Sequence, residues 1–325
     1  MELLFQAMTE SQAGPKWQAL FERLWPAYKR WFLSEGERAR PLYLSSVRAL
    51  RQYMPELLPT YERLVELAGG SDLAARFLSL YCPPPYLSGC SQAIWPGPPP
   101  LLIRNYDYNP LLFEGLILHT TWNGRRVIAT SDCLWGVVDG INDAGLAVSL
   151  TFGGRRVVGQ GFGVPVILRY ILEFCTDCTE AAEVLTRIPT HMAYNISLLD
   201  RSGNYATVFI APDREPVVSR VLVTTNHQRE VEWHQHAQAT ASVERERFLK
   251  FRLRESGHEP QRLIQAFLRS PVYSTAYGHG FGTLYTAILR PDEGVVDYLW
   301  PTVEWRQSLT SFQEDAKLIR YLQSI

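Results

Sequence analysis

The hydrophobic pattern changes its period once, near residue 82. Upstream of it, Trp17, Leu20, Phe21, Leu24 and Trp25 recur at helical spacing, and Leu42, Leu44, Val47, Leu50 and Tyr53 form a second stripe. Pro55 opens a fresh segment whose stripe, Tyr61, Leu64, Val65 and Leu67, closes at Gly69-Gly70. Ser71 or Asp72 then caps a helix ending near Tyr81. The pattern therefore predicts helices over residues 1–81, with the stripes as core faces. Residues 82–100 break it. Pro83-Pro84-Pro85 and Pro96-Gly97-Pro98-Pro99-Pro100 bracket Ser88-Gly89-Cys90-Ser91, and consecutive prolines neither continue a helix nor sit in a central strand.

From residue 101 the chain alternates with the period of strands. Leu101–Tyr106, Gly115–Trp122, Arg125–Ser131, Ala147–Phe152, Ile196–Asp200 and Tyr205–Ile210 are short β-type runs. Asn123-Gly124 and Ser202-Gly203-Asn204 read as hairpin turns. Residues 164–175, 179–188, 241–256 and 260–269 read as helices. A final hairpin joins Thr283–Leu289 to Val295–Leu299 through Pro291-Asp292-Glu293-Gly294. Antiparallel strands with grouped helices predict α+β layers.

Composition narrows the function classes. The length of 325 residues suits one large domain or two modest ones, and 46% apolar content is ordinary for a chain that buries a core. A formal net charge of -1 points to neither nucleic acid nor a charged tail. No apolar run reaches the roughly 18 residues a membrane-spanning helix needs. Glu2 and the lack of a basic, then apolar, leader predict no secretory signal. The five cysteines, Cys82, Cys90, Cys133, Cys175 and Cys178, are odd in number and sparse. That argues against a disulfide framework and for a reduced, cytoplasmic setting.

The candidate chemistry gathers at the break. An isolated cysteine is more often a small buried hydrophobe than a nucleophile. Cys90, however, follows Gly89, whose missing Cβ permits an unusual conformation and close approach to its carbonyl. It also precedes a strand carrying Arg104-Asn105-Tyr106-Asp107. Strand alternation puts Asn105 and Asp107 on one face, so Arg104 and Asp107 need a bend or strand end to converge. An arginine beside a thiol favours the thiolate, and a carboxylate holds an ammonium by a charge-assisted hydrogen bond. A surface ion pair of little consequence is the competing reading of Arg104 and Asp107.

Gly89-Cys90-Ser91 followed by Ile103-Arg104-Asn105-Tyr106-Asp107-Tyr108 resembles the isopenicillin N acyltransferase-like cysteine peptidase family. These are N-terminal nucleophile hydrolases related to choloylglycine hydrolases. The similarity continues in order through Pro55–Leu58 and Ala68-Gly69-Gly70, Gly140–Ala147, Thr224-Thr225-Asn226-His227, Ser242-Val243-Glu244-Arg245 and Thr283–Thr286. The resemblance implies an α+β fold of four αββα layers with a helical N-terminal pro-segment. It also implies a zymogen that cuts itself between Gly89 and Cys90, into a pro-segment of residues 1–89 and a catalytic chain of residues 90–325.

By the same resemblance, Cys90 is the nucleophile, Arg104 orients it, Asp107 positions the freed α-amine, Asn226 donates to the oxyanion, and Arg245 supports them, with Glu244 or Arg247 nearby. A backbone N–H near Thr151–Gly153 would complete the oxyanion hole. The implied partner is a small-molecule amide or acyl donor, with either water or an amine as acceptor. No cofactor, metal, nucleic acid or membrane is implied, and no oligomeric state. Two departures stand out. Gln92 follows Ser91 where the family has a threonine or second serine nearby, and Phe209 stands near the end of a strand where an acidic residue is common.

Other signals read as structural. Cys175-x-x-Cys178 lacks a second pair at zinc spacing and lies between two helices, with Asp177 as N-cap and Glu180 three residues on. His234 and His236, with His227 nearby, fit an exposed polar loop better than a metal cluster. Gly159–Gly163 lacks a nucleotide-binding context and reads as a loop over the site. Two further hypotheses remain: a catalytically silent binding protein of this fold, and a redox protein using Cys175 and Cys178.

Overall fold

The structure, a computed structural model, describes residues 1–257 and 259–321. The N-terminal stretch forms β1 (Glu2–Glu10), α1 (Pro15–Phe32), α2 (Tyr43–Tyr53), α3 (Leu58–Leu67) and α4 (Asp72–Leu78). Past the prolines come β2 (Ser91–Trp95), β3 (Leu101–Tyr108), β4 (Leu116–Thr120), β5 (Val127–Asp132), β6 (Gly136–Asn142) and β7 (Leu146–Phe152). Helices α5 (Val164–Phe174) and α6 (Cys178–Arg187) lead to β8 (Tyr194–Asp200), β9 (Tyr205–Ala211), β10 (Arg214–Ser219) and β11 (Val223–Thr224). Then follow α7 (His234–Ala239), α8 (Ser242–Glu255) and α9 (Pro260–Phe267), and finally β12 (Gly282–Arg290), β13 (Val295–Trp300), β14 (Val303–Ser308) and β15 (Asp315–Arg320).

One sheet has nine strands in the order β10-β9-β8-β7-β6-β5-β4-β1-β15, and the other six in the order β11-β2-β3-β12-β13-β14. Alternation along each strand decides what lies on its two faces. On β3, Leu102 and Tyr106 join Phe5, Ile117, Ile128 and Leu284 in a core between the sheets. Leu101 and Ile103 face the opposite way, against Leu249, Leu263 and Phe267 of α8 and α9. The far face of the nine-stranded sheet packs against α1–α6. Helices, sheet, sheet, helices: the four layers expected above are present.

Residues 1–81 are not all helical. Glu2–Glu10 is rich in helix formers, yet it pairs parallel with β4 and antiparallel with β15. Its partners lie more than 100 residues away, so nothing local announces the strand; tertiary pairing overrides propensity. The last predicted hairpin likewise continues, through β14, to β15. Among the described residues no helix is long and apolar enough to cross a membrane.

Candidate active site

Strands β2 and β3 pair antiparallel, with Ser91 opposite Asn105 and Gln92 opposite Arg104. The Gly89 N–H donates to the Asp107 carbonyl at 2.8 Å, carrying the ladder two residues further. Cys90 therefore sits just before β2 and is fully buried. Arg104 and Asp107 do not converge on one face. Arg104 projects between the sheets with Tyr106, while Asn105 and Asp107 share the other face, as alternation requires. Asn105 Nδ2 donates to the Phe267 carbonyl of α9 at 2.8 Å, and Asp107 meets Arg245 of α8.

Arg104 Nη2 lies 3.4 Å from Cys90 Sγ. The guanidinium is held by an ion pair with Asp139 of β6, by the Leu150 carbonyl at 2.9 Å, and by the face of Tyr106, 4.5 Å from its ring centre. Asp139 in turn accepts from Tyr285 at 2.6 Å and Thr130 at 2.8 Å. Arg104 thus spans both sheets, with its charge matched by a buried carboxylate. Burial pushes the Cys90 thiol up in pKa; Arg104 pulls it down but does not win. In the uncut chain the Cys90 thiol lies 3.7 Å from Ser88 Oγ.

On the other face, Arg245 Nη1 donates to Asp107 Oδ2 at 2.7 Å and to Ser91 Oγ at 2.9 Å, and Nη2 donates to Asn226 Oδ1 at 2.7 Å. Ala241, left-handed at φ +47°, starts α8 at the angle that points Arg245 inward. Asp107 also accepts from Thr283 Oγ1 at 2.6 Å. Burial raises its carboxyl to about 6, against the pull of Arg245 and Thr283. Because Asn226 Oδ1 is taken by Arg245, its Nδ2 must face the other way. It reaches the Ser88 carbonyl at 3.3 Å and the Phe152 carbonyl at 3.4 Å. In the uncut chain its donors thus meet the carbonyl one residue before the predicted scissile one. In the uncut chain the Gly153 N–H donates to the Ala193 carbonyl at 2.8 Å.

Gly89 has no left-handed φ; its requirement is space. A Cβ there would lie 3.1 Å from Phe281 Cδ1 and 3.2 Å from Thr240 Cγ2. Both residues line a cavity of about 840 Å³ that also touches Gly89, Asp107, Arg245 and Glu244. Glu244 and Arg247 are exposed.

The remaining candidates fall elsewhere. Cys175 and Cys178 are buried thiols whose pKa burial raises; Asp177 caps α6 by accepting from the Thr179 and Glu180 amides. The histidines do not form one exposed loop. His234 and His236 open α7, and only His234 is exposed. His236 is packed among Phe152, Trp233 and Phe281, and His227 bonds Ser242 Oγ at 2.8 Å. The glycine loop is tied to the N-terminal segment, with the Cys82 N–H on the Gly161 carbonyl and the Gly163 N–H on that of Leu80. The sequence reading missed Asp139, Ser88 and the hydroxyl of Thr283. For Asp139 a signal existed: a carboxylate inside an otherwise apolar strand is rarely buried without a partner.

Residues 96–305 match the family model described as acyl-coenzyme A:6-aminopenicillanic acid acyl-transferase. The matched stretch contains Arg104, Asp107, Asn226 and Arg245 and begins six residues after Cys90. No curated protein matches the chain. Among solved structures, penicillin V acylase from Agrobacterium tumefaciens is 14% identical, with a TM-score of 0.48 over 70% of this chain and 90% of its own. A mutant conjugated bile acid hydrolase from Clostridium perfringens is 13% identical, with a TM-score of 0.46 over 73% and 98%. An N-acylethanolamine-hydrolyzing acid amidase ortholog from Caenorhabditis elegans is 17% identical, with a TM-score of 0.46 over 67% and 98%.

Proposed function

The chain belongs to the acyl-coenzyme A:6-aminopenicillanic acid acyl-transferase family, and from that premise we propose that it is a self-processing cysteine amidohydrolase or acyltransferase acting on linear amides through an acyl group on Cys90. The observation that carries the reading is the division of labour around residue 90. The thiol meets Arg104 on one face of β3, while the Gly89 N–H pairs with the carbonyl of Asp107, whose side chain lies on the other face.

In the first reaction the Cys90 sulfur attacks the Gly89 carbonyl carbon, the C–N bond breaks, and the thiol proton passes to the departing Cys90 nitrogen. Water then cleaves the thioester, leaving a Gly89 carboxylate and a free α-amine on Cys90. An α-amine titrates near pH 8, so it takes the thiol proton and later returns it to the leaving amine of a substrate. Asp107, anchored by Arg245 and Thr283, holds that amine. Once residues 88 and 89 withdraw, the Asn226 amide, aimed by Arg245, is free to donate to a substrate oxyanion.

Intact mass spectrometry tests this. The purified chain is expected as two fragments divided after Gly89, and Cys90→Ala as one uncut chain. Incubation with an activated acyl donor should add one acyl mass to the fragment that begins at Cys90. A wild-type chain that stays whole and takes no acyl group at Cys90 sinks the proposal.

A further inference from the structure

A second cavity, of about 130 Å³, lies between α1 and the start of the catalytic region, with walls of Tyr28, Trp31, Tyr86, Tyr108 and Phe113. Glu114 and Asp132 form its polar end. Beyond Asp132 the chain turns through Cys133 and Leu134, left-handed at φ +57° and +73°. The Cys133 amide donates to Asp132 Oδ1 at 2.9 Å and the Leu134 amide to Glu114 Oε1 at 2.6 Å. Tyr28 donates its hydroxyl to Glu114 and lies 3.4 Å from Asp132 Oδ1.

These bonds leave the charge unmatched. Asp132 is 8% exposed, and Glu114 Oε2 is buried with the Ser131 hydroxyl near it but no well-formed hydrogen bond. Neither carboxylate forms an ion pair among the described residues. Arg23 bonds Gln6 and Arg104 bonds Asp139, so both act on the pair only from a distance. Two buried carboxylates side by side without a cation are costly, so burial raises the pKa of both, Asp132 to about 7, and above that pH a cation can take the place of the proton. Among the described residues no group of three or more acidic, histidine or cysteine side chains is placed to hold a metal ion. Five aromatic walls suit an organic cation instead, whose charge the ring faces attract.

The chain itself connects the cavity to the reacting atoms. In self-cleavage the Gly89 carbonyl is the first acyl group Cys90 takes. The chain behind that carbonyl runs through Ser88 and Leu87 to Tyr86, whose ring lines the cavity. Three extended residues span roughly 10 Å. A substrate acyl group on the same sulfur would follow the same path.

We propose that this cavity receives an organic cation, an alkylammonium at the far end of the acyl group. The proposal rests on the acyl-Cys90 reading above and names its substrate class: amides of long ω-amino acids.

Two measurements test it, both at pH 8 on the full chain. In calorimetric titration, butylammonium is expected to bind about tenfold or more tightly than butan-1-ol, and Asp132→Asn and Glu114→Gln to abolish that preference. In turnover, the 8-aminooctanoyl anilide is expected to exceed the nonanoyl anilide in kcat/KM by a similar factor, with the ratio falling towards one in either variant. Equal binding of amine and alcohol overturns the proposal. So does a preference that survives both substitutions, since the carboxylates would then serve only to cap the Cys133–Leu134 turn. Selective butylammonium binding by a protein whose Cys90 takes no acyl group would uphold the cavity and remove the enzymatic reading. Should either variant fail to fold, the comparison of amine with alcohol on the wild-type chain still decides.

Discussion

Arg245 touches Asp107, Asn226 and Ser91 at once, and each contact is buried. Removing it strands a buried carboxylate and frees the Asn226 amide to rotate. Arg245→Met, made in a Cys90→Ala background so that cleavage does not intervene, is expected to lose about 3–5 kcal/mol in urea denaturation. Asn226→Ala is expected to lower kcat by about two to three orders of magnitude, and to lower the melting temperature as well, because it leaves Arg245 Nη2 buried without its acceptor. Asp132 gives a pH signature. Burial and then Glu114 raise its carboxyl to about 7. The folded chain therefore holds this proton more tightly than the unfolded one, and the contribution to stability falls as pH rises from about 4 to 7. Melting temperatures at pH 4.5 and pH 8 should show Asp132→Asn gaining relative to wild type at the higher pH. The sequence placed Cys90, Arg104 and Asp107 together because β2 and β3 are neighbours in the chain. Asn226 and Arg245 came only with the family resemblance. Asp139 was marked locally only as a carboxylate in an apolar strand; its pairing with Arg104 was hidden because the two come from opposite sheets.

At the scale of elements, β3 organises the site by alternation alone. Arg104 goes inward to the thiol and Asp107 outward to α8, so the two requirements of the proposed chemistry sit on opposite faces of one strand. A residue inserted between them would send Asp107 inward. Strand β1 is the element that local pattern could not reveal. Phe5 is buried against Phe113, Tyr285 and Trp300. Phe5→Ala is expected to cost about 3–5 kcal/mol, read from the urea midpoint of the Cys90→Ala chain. A truly helical, separable N-terminus would show a far smaller effect.

For the whole molecule, residues 1–89 form no separate body in the uncut chain. Strand β1 is laddered to β4 and β15, both downstream of Cys90, and α1–α4 share one core cluster with residues of β5–β9. Cleavage after Gly89 is therefore expected to leave the two pieces together. Native mass spectrometry or gel filtration should give the mass of the full chain, and the fragments should part only in denaturant. Separation under native conditions would show that the β1 ladders do not hold.

The sequence by itself determined what depends on neighbours in the chain. It set the helical stripes, the proline break, the hairpins at Asn123-Gly124 and Gly203, and the alternation that puts Asn105 and Asp107 on one face, because turn chemistry and side-chain period act over a few residues. The tertiary structure alone decided what depends on partners brought from afar. It turned Glu2–Glu10 into a strand, matched Arg104 with Asp139, fixed Asn226 through Arg245, and set Glu114 beside Asp132 against Tyr28. In each case the deciding energy is burial or pairing with a group from another part of the chain, and no local pattern encodes that.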